Sequence, residues 1–545
     1  MARLQTPHFG SIPPHAHHAI TVHLPGWQYM LRAFVDRDPE IWRKVTSMYP
    51  RIVFHRDIKA LTEIVLTKYG TEGQNLILFS APPYASACKE FATSSARGDD
   101  VLSPDEVVVR LLGINVRLYA VFFPRAKMSG VMPFWINAGV GISSRLAEES
   151  LKHLDLLQEL PVEEEEPAPK AELSPADLVL RERIAGLMER APRERRERRV
   201  RSEDVYLFAT GMAAIYSVHQ FLLSMHNAKT VLFGFAFHST PHVFEDFGPG
   251  YKFFGLGDAE ELLGLEEYLK DERGGDRKVQ AVWTEFPANP LLATPDLGRL
   301  RELADEYGFL LIVDDTVGSF CNVDLLGAAD IVVTSLTKSF SGYADVMAAS
   351  AVLNPSSSRY AELKELLTMK YENTFWSGDA ETLEKNSRDY LSRSAILNKN
   401  AETLVAYLHA QASNPASHVA KVYYPTTSPT LSSYQARMRQ PSAEFTPGYG
   451  CLFSLELDTV EATKDFYDHL DVHQGPHLGA HLTLAMPYAK ALYAKELEWA
   501  GRFGLRETQI RVSVGLEDTE ALLGTFREAL EAAGKVEEDE GVASA

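Results

Sequence analysis

Downstream of residue 204 the chain alternates short apolar runs with longer stretches whose apolar residues recur every three or four positions. Val205–Ala209 (VYLFA) reads as a strand and runs directly into a helix, TGMAAIYSVHQFLLSMH. Strand-like runs return at Thr230–Phe235 (TVLFGF), Val279–Phe286 (VQAVWTEF), Phe309–Asp315 (FLLIVDD) and Asp330–Ser335 (DIVVTS). A well-marked helix precedes the fourth of these five runs. Thr294 can cap it, Pro295 suits its first turn, Leu297, Leu300 and Leu303 form one face, and Gly308 ends it. Continuously apolar strands separated by helices predict a mostly parallel α/β sheet covered on both faces.

From about residue 373 the pattern becomes α+β. NSRDYLSRSAILNKNAETLVAYLHA predicts a long amphipathic helix, GCLFSLEL (Gly450–Leu457) and QIRVSVGLE (Gln509–Glu517) predict strands, and TEALLGTFREALEAAGK predicts a closing helix. Upstream, Leu160–Pro175 (LPVEEEEPAPKAELSP) sets four glutamates between prolines and reads as a solvated linker. Ala176–Arg201 follows as a helix with an exposed charged face, RERRERR. The first 157 residues mix strand-like runs (NLILFSA, VRLYAVFF) with a helical one (DIKALTEIVLTKYG). The expected organisation is an N-terminal block 1–157, an acidic linker and charged helix 158–203, a large domain 204–372, a smaller α+β domain 373–535 and a disordered tail 536–545.

Composition narrows the function classes. The 545 residues are 45% hydrophobic, enough for a large core, and 54 Lys and Arg against 74 Asp and Glu give a net charge of −20. That balance argues against nucleic acid or an anionic membrane as partner. Cys88, Cys321 and Cys451 are far apart and read as reduced thiols, and no C-x-x-C pair points to a metal. No apolar leader or run of about 18 apolar residues is seen, so a cytoplasmic protein is expected. His15, His17 and His18 have no acidic or thiol partner at ligand spacing and read as part of a mobile, proline-flanked segment; no metal is expected. GLGDAEELLG (Gly255–Gly264) has the wrong glycine spacing for a dinucleotide loop, and no G-x-x-x-x-G-K-[ST] occurs.

Open α/β sheets bind ligands beyond the carboxyl ends of their strands. Those ends carry a coherent set here. Thr210-Gly211-Met212 opens a helix and suits a phosphate, Asn289 offers an amide, Asp314 a carboxylate, and Ser335, Thr337 and Lys338 two hydroxyls and an amine. Pyridoxal phosphate needs this set: a lysine for its aldehyde, a carboxylate to keep its ring nitrogen protonated, and N–H and hydroxyl groups for its phosphate.

The residues also carry a resemblance. TSLTKSFSG resembles the S-x-T-K segment of the Cys/Met-metabolism family of pyridoxal-phosphate enzymes, EFPANP its E-x-P-x-N-P segment and VDDT its V-D-N-T. TGMAAI is similar to its S-G-M-A-A-I, and RVSVGLED to its R-(L/V)-S-(V/I)-G-x-E-D. The N-terminal block and EKNSRDYLSR are similar to the fungal cystathionine γ-synthase subgroup. The resemblance implies an aspartate-aminotransferase-like fold (fold type I). It implies that Lys338 forms a Schiff base with the cofactor and Asp314 pairs with its ring nitrogen. Gly211, Met212, Ser335 and Thr337 then hold the phosphate, and Asn289 and Arg511 bind the substrate carboxylate. Asp315, in the family's Asn place, is not expected to be catalytic. Tyr49 and Arg51 correspond to a pair that reaches the phosphate of a neighbouring subunit, which implies a homodimer or homotetramer.

Three positions depart from the family pattern. Phe237 stands where a tyrosine covers the ring, Ser239 where the subgroup tends to have Asp, and His477 where a serine is usual. All three are expected to face the substrate, with Phe237 still stacking on the cofactor and His477 serving as an acid or base. The implied activity is γ-replacement on an O-acyl-homoserine through a β,γ-unsaturated electrophile, with a thiol such as cysteine adding at Cγ. Alternatives are a specialised γ-substitution with a carbon nucleophile, a γ- or β-lyase, or a catalytically silent scaffold.

Overall fold

The computed structural model describes residues 16–45, 53–161, 173–273 and 279–540, with the side chains of Arg273 and of residues 535–540 excepted. Tyr49, Arg51 and His15 lie outside the described residues, as does most of the acidic linker.

Three sheets organise the chain. The first is antiparallel, in the order β1–β3–β2–β4, with β1 at Gln74–Phe79, β2 at Val108–Gly113, β3 at Arg117–Pro124 and β4 at Gln158–Leu160. The second comprises β5 (Val205–Phe208), β6 (Lys229–Phe233), β7 (Tyr251–Phe254), β8 (Val279–Glu285), β9 (Leu310–Asp314), β10 (Ile331–Thr334) and β11 (Ala349–Leu353). Its order is β5–β11–β10–β9–β8–β6–β7, parallel except for β11. Burial on both faces explains its unbroken apolar strands: Ile331, Val332 and Val333 are each 0% exposed. The third sheet runs β12 (Val419–Tyr423), β13 (Leu452–Leu457), β16 (Gln509–Ser513), β15 (Leu484–Met486), β14 (His473–Gln474). Among the described residues no helix is long and apolar enough to cross a membrane.

Four local expectations are corrected. Asp296, not Thr294, caps the helix Leu297–Tyr307, accepting from the N–H groups of Gly298 and Arg299. The helix Pro175–Met188 stops well before RERRERR, since Pro192 cannot continue a helix and Ala191 takes a left-handed φ of 41°. The long helix predicted from Asn386 begins instead at Tyr390 and runs to Gln411, after a separate helix Ser377–Asn386. The break leaves the Asn386 carbonyl open, and Arg393 Nη2 donates to it at 2.9 Å. The last helix continues to Glu540, where a disordered tail was expected from 536; residues 541–545 lie outside the described residues.

The N-terminal sheet has a mechanical task that its sequence did not disclose. One core joins Ile77, Phe79 and Phe134 of this unit to Met212, Ala213 and Tyr216 of the helix Gly211–Met225. Gly139 makes the closest approach. Its carbonyl accepts from Thr210 Oγ1 at 2.8 Å, and a Cβ there would sit 2.4 Å from Met212 Cβ and 2.6 Å from Ala213 N. Its φ of 69° also disfavours any side chain. Gly139→Val is therefore expected to lose about 1–3 kcal/mol of stability and to bind pyridoxal phosphate more weakly. Thermal unfolding and cofactor titration check both; an unchanged cofactor affinity would show that this contact does not brace the helix start.

Candidate active site

The carboxyl ends of β5, β8, β9 and β10 open into one cavity of about 780 Å³, closed on its far side by the third sheet. Gly211, Met212, Phe237, Asn289, Asp314, Ser335, Lys338 and Arg511 all line it. Residues scattered over 300 positions thus meet at one sheet edge, because parallel strands bring all their carboxyl ends to the same side.

One end is an anion seat. Thr210 Oγ1 accepts from Ala213 N at 3.0 Å, which leaves the N–H groups of Gly211 and Met212 at the start of the helix with no carbonyl behind them. Ser335 Oγ is buried with no hydrogen-bond partner among the described residues. Its Cβ and Oγ would each lie 3.2 Å from a Cβ on Gly211, so glycine keeps the space open. An unsatisfied buried hydroxyl beside free helix N–H groups is the chemistry a phosphate requires. Thr337 does not join them. Its hydroxyl donates to Ala348 O at 3.1 Å and accepts from Ala348 N at 3.0 Å, bracing β11.

At the centre stands Lys338, 6% exposed. Its loop is held by Arg393, whose guanidinium donates to the carbonyls of Ser339 (3.0 Å), Phe340 (3.1 Å) and Ser341 (3.1 Å). Gly342, at φ 78°, leaves the room this needs: a Cβ would lie 1.7 Å from Arg393 Nη1. Burial, and then the Arg511 charge, drive the Lys338 amine well below the usual lysine range, with Asp314 opposing. Burial raises Asp314, opposed by the Thr316 N–H, which donates to it at 2.8 Å, and by Lys338. A protonated ring nitrogen beside Asp314 would supply the opposite charge that keeps it ionised.

Glu285 is the main residue that sequence reading passed over. Register pairs it directly with Asp314 across β8 and β9. Burial, with the Asp314 charge added, pushes its carboxyl up to about 8. It accepts from Phe237 N at 2.6 Å and from Asn289 N at 3.1 Å, fixing the ring-covering residue and the amide together. Its place at the start of EFPANP, at the carboxyl end of a predicted strand, was the available signal.

Arg511 enters from β16, paired with Ser454 and Met486. It donates to Asn289 Oδ1 at 3.2 Å and to the Pro476 carbonyl, and its guanidinium lies 4.5 Å from the Tyr488 ring centre. Tyr488 also lines the cavity and had no sequence signal beyond its aromatic character. Phe237 lines it as expected, but Ser239 and His477 do not, although Pro476 and Leu478 do. His477 is 1% exposed, and burial, with Lys338 and Arg511 nearby, holds its imidazole well below the ordinary range and therefore neutral. Asp315 is buried outside the cavity and accepts from Thr334 Oγ1.

Two substitutions test this geometry. Arg511→Lys keeps the charge but loses the fork; at about 1.5–3 kcal/mol for a hydrogen bond to a charged group, KM for the amino-acid substrate should rise roughly 10- to 150-fold, with cofactor absorbance unchanged. Arg393→Ala should release the lysine loop and weaken cofactor retention while leaving far-UV circular dichroism intact. Retention equal to wild type would remove Arg393 from the account.

The comparisons agree with this geometry. Residues 194–531 match the family described as Cys/Met metabolism PLP-dependent enzyme, and residues 57–143 match the fungal trans-sulfuration enzyme N-terminal domain. A cystathionine gamma-synthase-like enzyme of Amanita muscaria is 36% identical, covering 96% of this chain and 97% of its own. An alanine racemase of Aspergillus violaceofuscus is also 36% identical, covering 95% of each. Among solved structures, the cystathionine gamma synthase of Xanthomonas oryzae pv. oryzae, in complex with aminoacrylate and cysteine, superposes with a TM-score of 0.53 at 22% identity, over 68% of this chain and 90% of that one. An anion seat, a buried lysine, a facing carboxylate and an arginine clamp on this fold make the chain a member of the Cys/Met-metabolism family of pyridoxal-phosphate-dependent enzymes, of the cystathionine γ-synthase-like kind.

Proposed function

We propose that this enzyme performs γ-replacement on an O-acyl-homoserine. The observation that carries the reading is the buried Lys338 amine, which lines one cavity together with Asp314 and the hydrogen-bonded Arg511–Asn289 pair. Bound pyridoxal phosphate supplies an electron-accepting ring that stabilises negative charge on a substrate carbon. Gly211, Met212 and Ser335 hold its phosphate, and Asp314 keeps its ring nitrogen protonated. Arg511 and Asn289 hold the substrate α-carboxylate and fix which Cα–H bond faces Lys338. Being neutral, Lys338 Nζ can accept the Cα proton. Loss of a Cβ proton then lets the acyl group leave Cγ as a carboxylate, taking the bonding electrons with it. A nucleophile adds at Cγ, the two protons return, and the side chain has been exchanged. Neutral His477 stands behind Pro476 and Leu478 as a candidate proton carrier.

A thiol acceptor is the leading reading, and one observation favours a second. Part of the cavity wall is apolar, formed by Val317, Leu478, Met486 and Leu492 with Phe237. A zwitterionic cysteine would need a cation of its own there, and among the described residues the two basic side chains lining the cavity, Lys338 and Arg511, are already committed. An uncharged acceptor, including a carbon acid, fits that wall better. We further propose a homodimer or homotetramer, in which Tyr49 and Arg51 complete a neighbouring site.

Purified enzyme with pyridoxal phosphate and O-acetyl-homoserine, followed by mass spectrometry, separates these readings. Acetate release is expected in every arm. Rapid cystathionine formation with L-cysteine supports the thiol reading. Little cystathionine, with adducts from a panel of carbon acids, supports the second. No release of acetate from O-acetyl-homoserine and none of succinate from O-succinyl-homoserine would overturn γ-replacement.

A further inference from the structure

Away from the cavity, folding gathers three imidazoles and a carboxylate from separate stretches of chain. His17 and His18 precede the buried arm Ala19–Leu24, while His55 caps the helix Arg56–Tyr69, whose first turn carries Asp57. One ligand atom from each of the four lies within 4.8 Å of all the others. His17 Nε2 is 2.7 Å, and His55 Nδ1 3.3 Å, from the same Asp57 oxygen. The His17 and His18 ring centres are 4.7 Å apart, and each lies 5.5 Å from that of His55. The expectation that His17 and His18 lack an acidic partner therefore fails, because Asp57 and Glu148 reach them only through the fold.

The opposite ring nitrogens are already engaged as they are in metal-bound imidazoles. His18 Nδ1 lies 3.0 Å from Ser144 Oγ, and His55 Nε2 2.8 Å from the His17 carbonyl oxygen. That leaves the lone pairs of His18 Nε2 and His55 Nδ1 turned toward the cluster. Two cations face the site. Arg145 is held by the Asp345 carbonyl at 2.7 Å and by Asp379 at 3.2 Å, and the exposed Arg56 donates to His17 Nδ1. Asp57 and Glu148 balance them.

We propose that His17, His18, His55 and Asp57 form a binding site for one divalent transition metal of the Zn²⁺ class. Three nitrogens and one carboxylate oxygen suit a borderline ion in tetrahedral geometry, whereas Mg²⁺ and Ca²⁺ favour oxygen alone. Zn–N bonds of about 2.0–2.1 Å put tetrahedral ligands roughly 3.3 Å apart, and the two spacings to Asp57 are already close to that. On binding, His55 Nδ1 gives up its bond from Asp57 N, and Arg56 turns to solvent as His17 Nδ1 takes a proton.

The metal would act as a staple. The arm it anchors runs behind the active site: Ile20 N donates to Ala344 O at 2.9 Å, Leu24 N to Gln474 O at 2.7 Å, and Gln474 N to His23 Nδ1 at 2.9 Å. Gly475 packs so closely on Val22 that a Cβ would meet its carbonyl at 2.3 Å. The next residue is Pro476, whose carbonyl holds Arg511.

The test uses tag-free, full-length protein carrying its cofactor, stripped with a chelator, dialysed, and titrated with Zn²⁺ against a chromophoric competitor. One equivalent per chain is expected, with a rise in thermal midpoint. Substitution with Co²⁺ should give the intense visible bands of a four-coordinate site. Both signals should vanish in the His18→Ala/His55→Ala double variant. Circular dichroism checks its folding, and if it fails to fold, His17→Ala, at a 39% exposed side chain, carries the same expectation. Absence of a stoichiometric Zn²⁺ equivalent in the wild type, or equal binding by a folded variant, would overturn the proposal.

Discussion

Burying a lysine amine at the carboxyl edge of a sheet costs several kcal/mol unless its charge is lost or matched. Much of this molecule is arranged around that cost. Lys338 follows a fully buried strand and is itself only 6% exposed, and Arg511 on the far wall further disfavours its proton. Asp314 alone pulls the other way, and it is itself raised by burial. The outcome is an amine whose proton is held far less tightly than an exposed lysine's, the property that a nucleophile toward an aldehyde and a base toward a Cα proton both need. The same burial that makes Lys338 costly makes it useful.

Holding this arrangement takes contributions from all three sheets. The large sheet supplies the strand ends. The C-terminal sheet brings Arg511 across the cavity on β16, a central strand, where its position is fixed by pairing on both sides. Among the described residues the N-terminal unit supplies none of the cavity lining, yet Gly139 is pressed against Thr210 and Met212, behind the anion seat. Arg393 performs a similar service for the lysine loop by collecting three successive carbonyls that no strand or helix would satisfy. Lys338, Asp314, Arg511 and the anion seat are thus held in place by residues outside the cavity.

What the sequence made legible follows from range. Strands with apolar residues on both faces announced themselves by composition, and residues directly after them, such as Asp314, Ser335 and Lys338, were placed by counting from the strand end. Residues whose role depends on a neighbouring strand were not. Glu285 matters because register sets it beside Asp314, and no local pattern encodes that pairing. Thr337 sits within the lysine motif, but its hydroxyl is taken by Ala348, directly before the one antiparallel strand of its sheet, a strand absent from the prediction. His477 and Ser239 were read as facing the substrate from alignment alone, and neither lines the cavity. The charged run after Met188 resembled a helix by composition, whereas Pro192 had already ended it.

The central claim is that one lysine, Lys338, and no other holds the cofactor. Borohydride reduction of the protein incubated with pyridoxal phosphate, followed by peptide mass spectrometry, tests it directly. The account predicts stoichiometric pyridoxyl modification confined to the peptide containing Lys338. Modification of another lysine, or none at saturating cofactor, would contradict it.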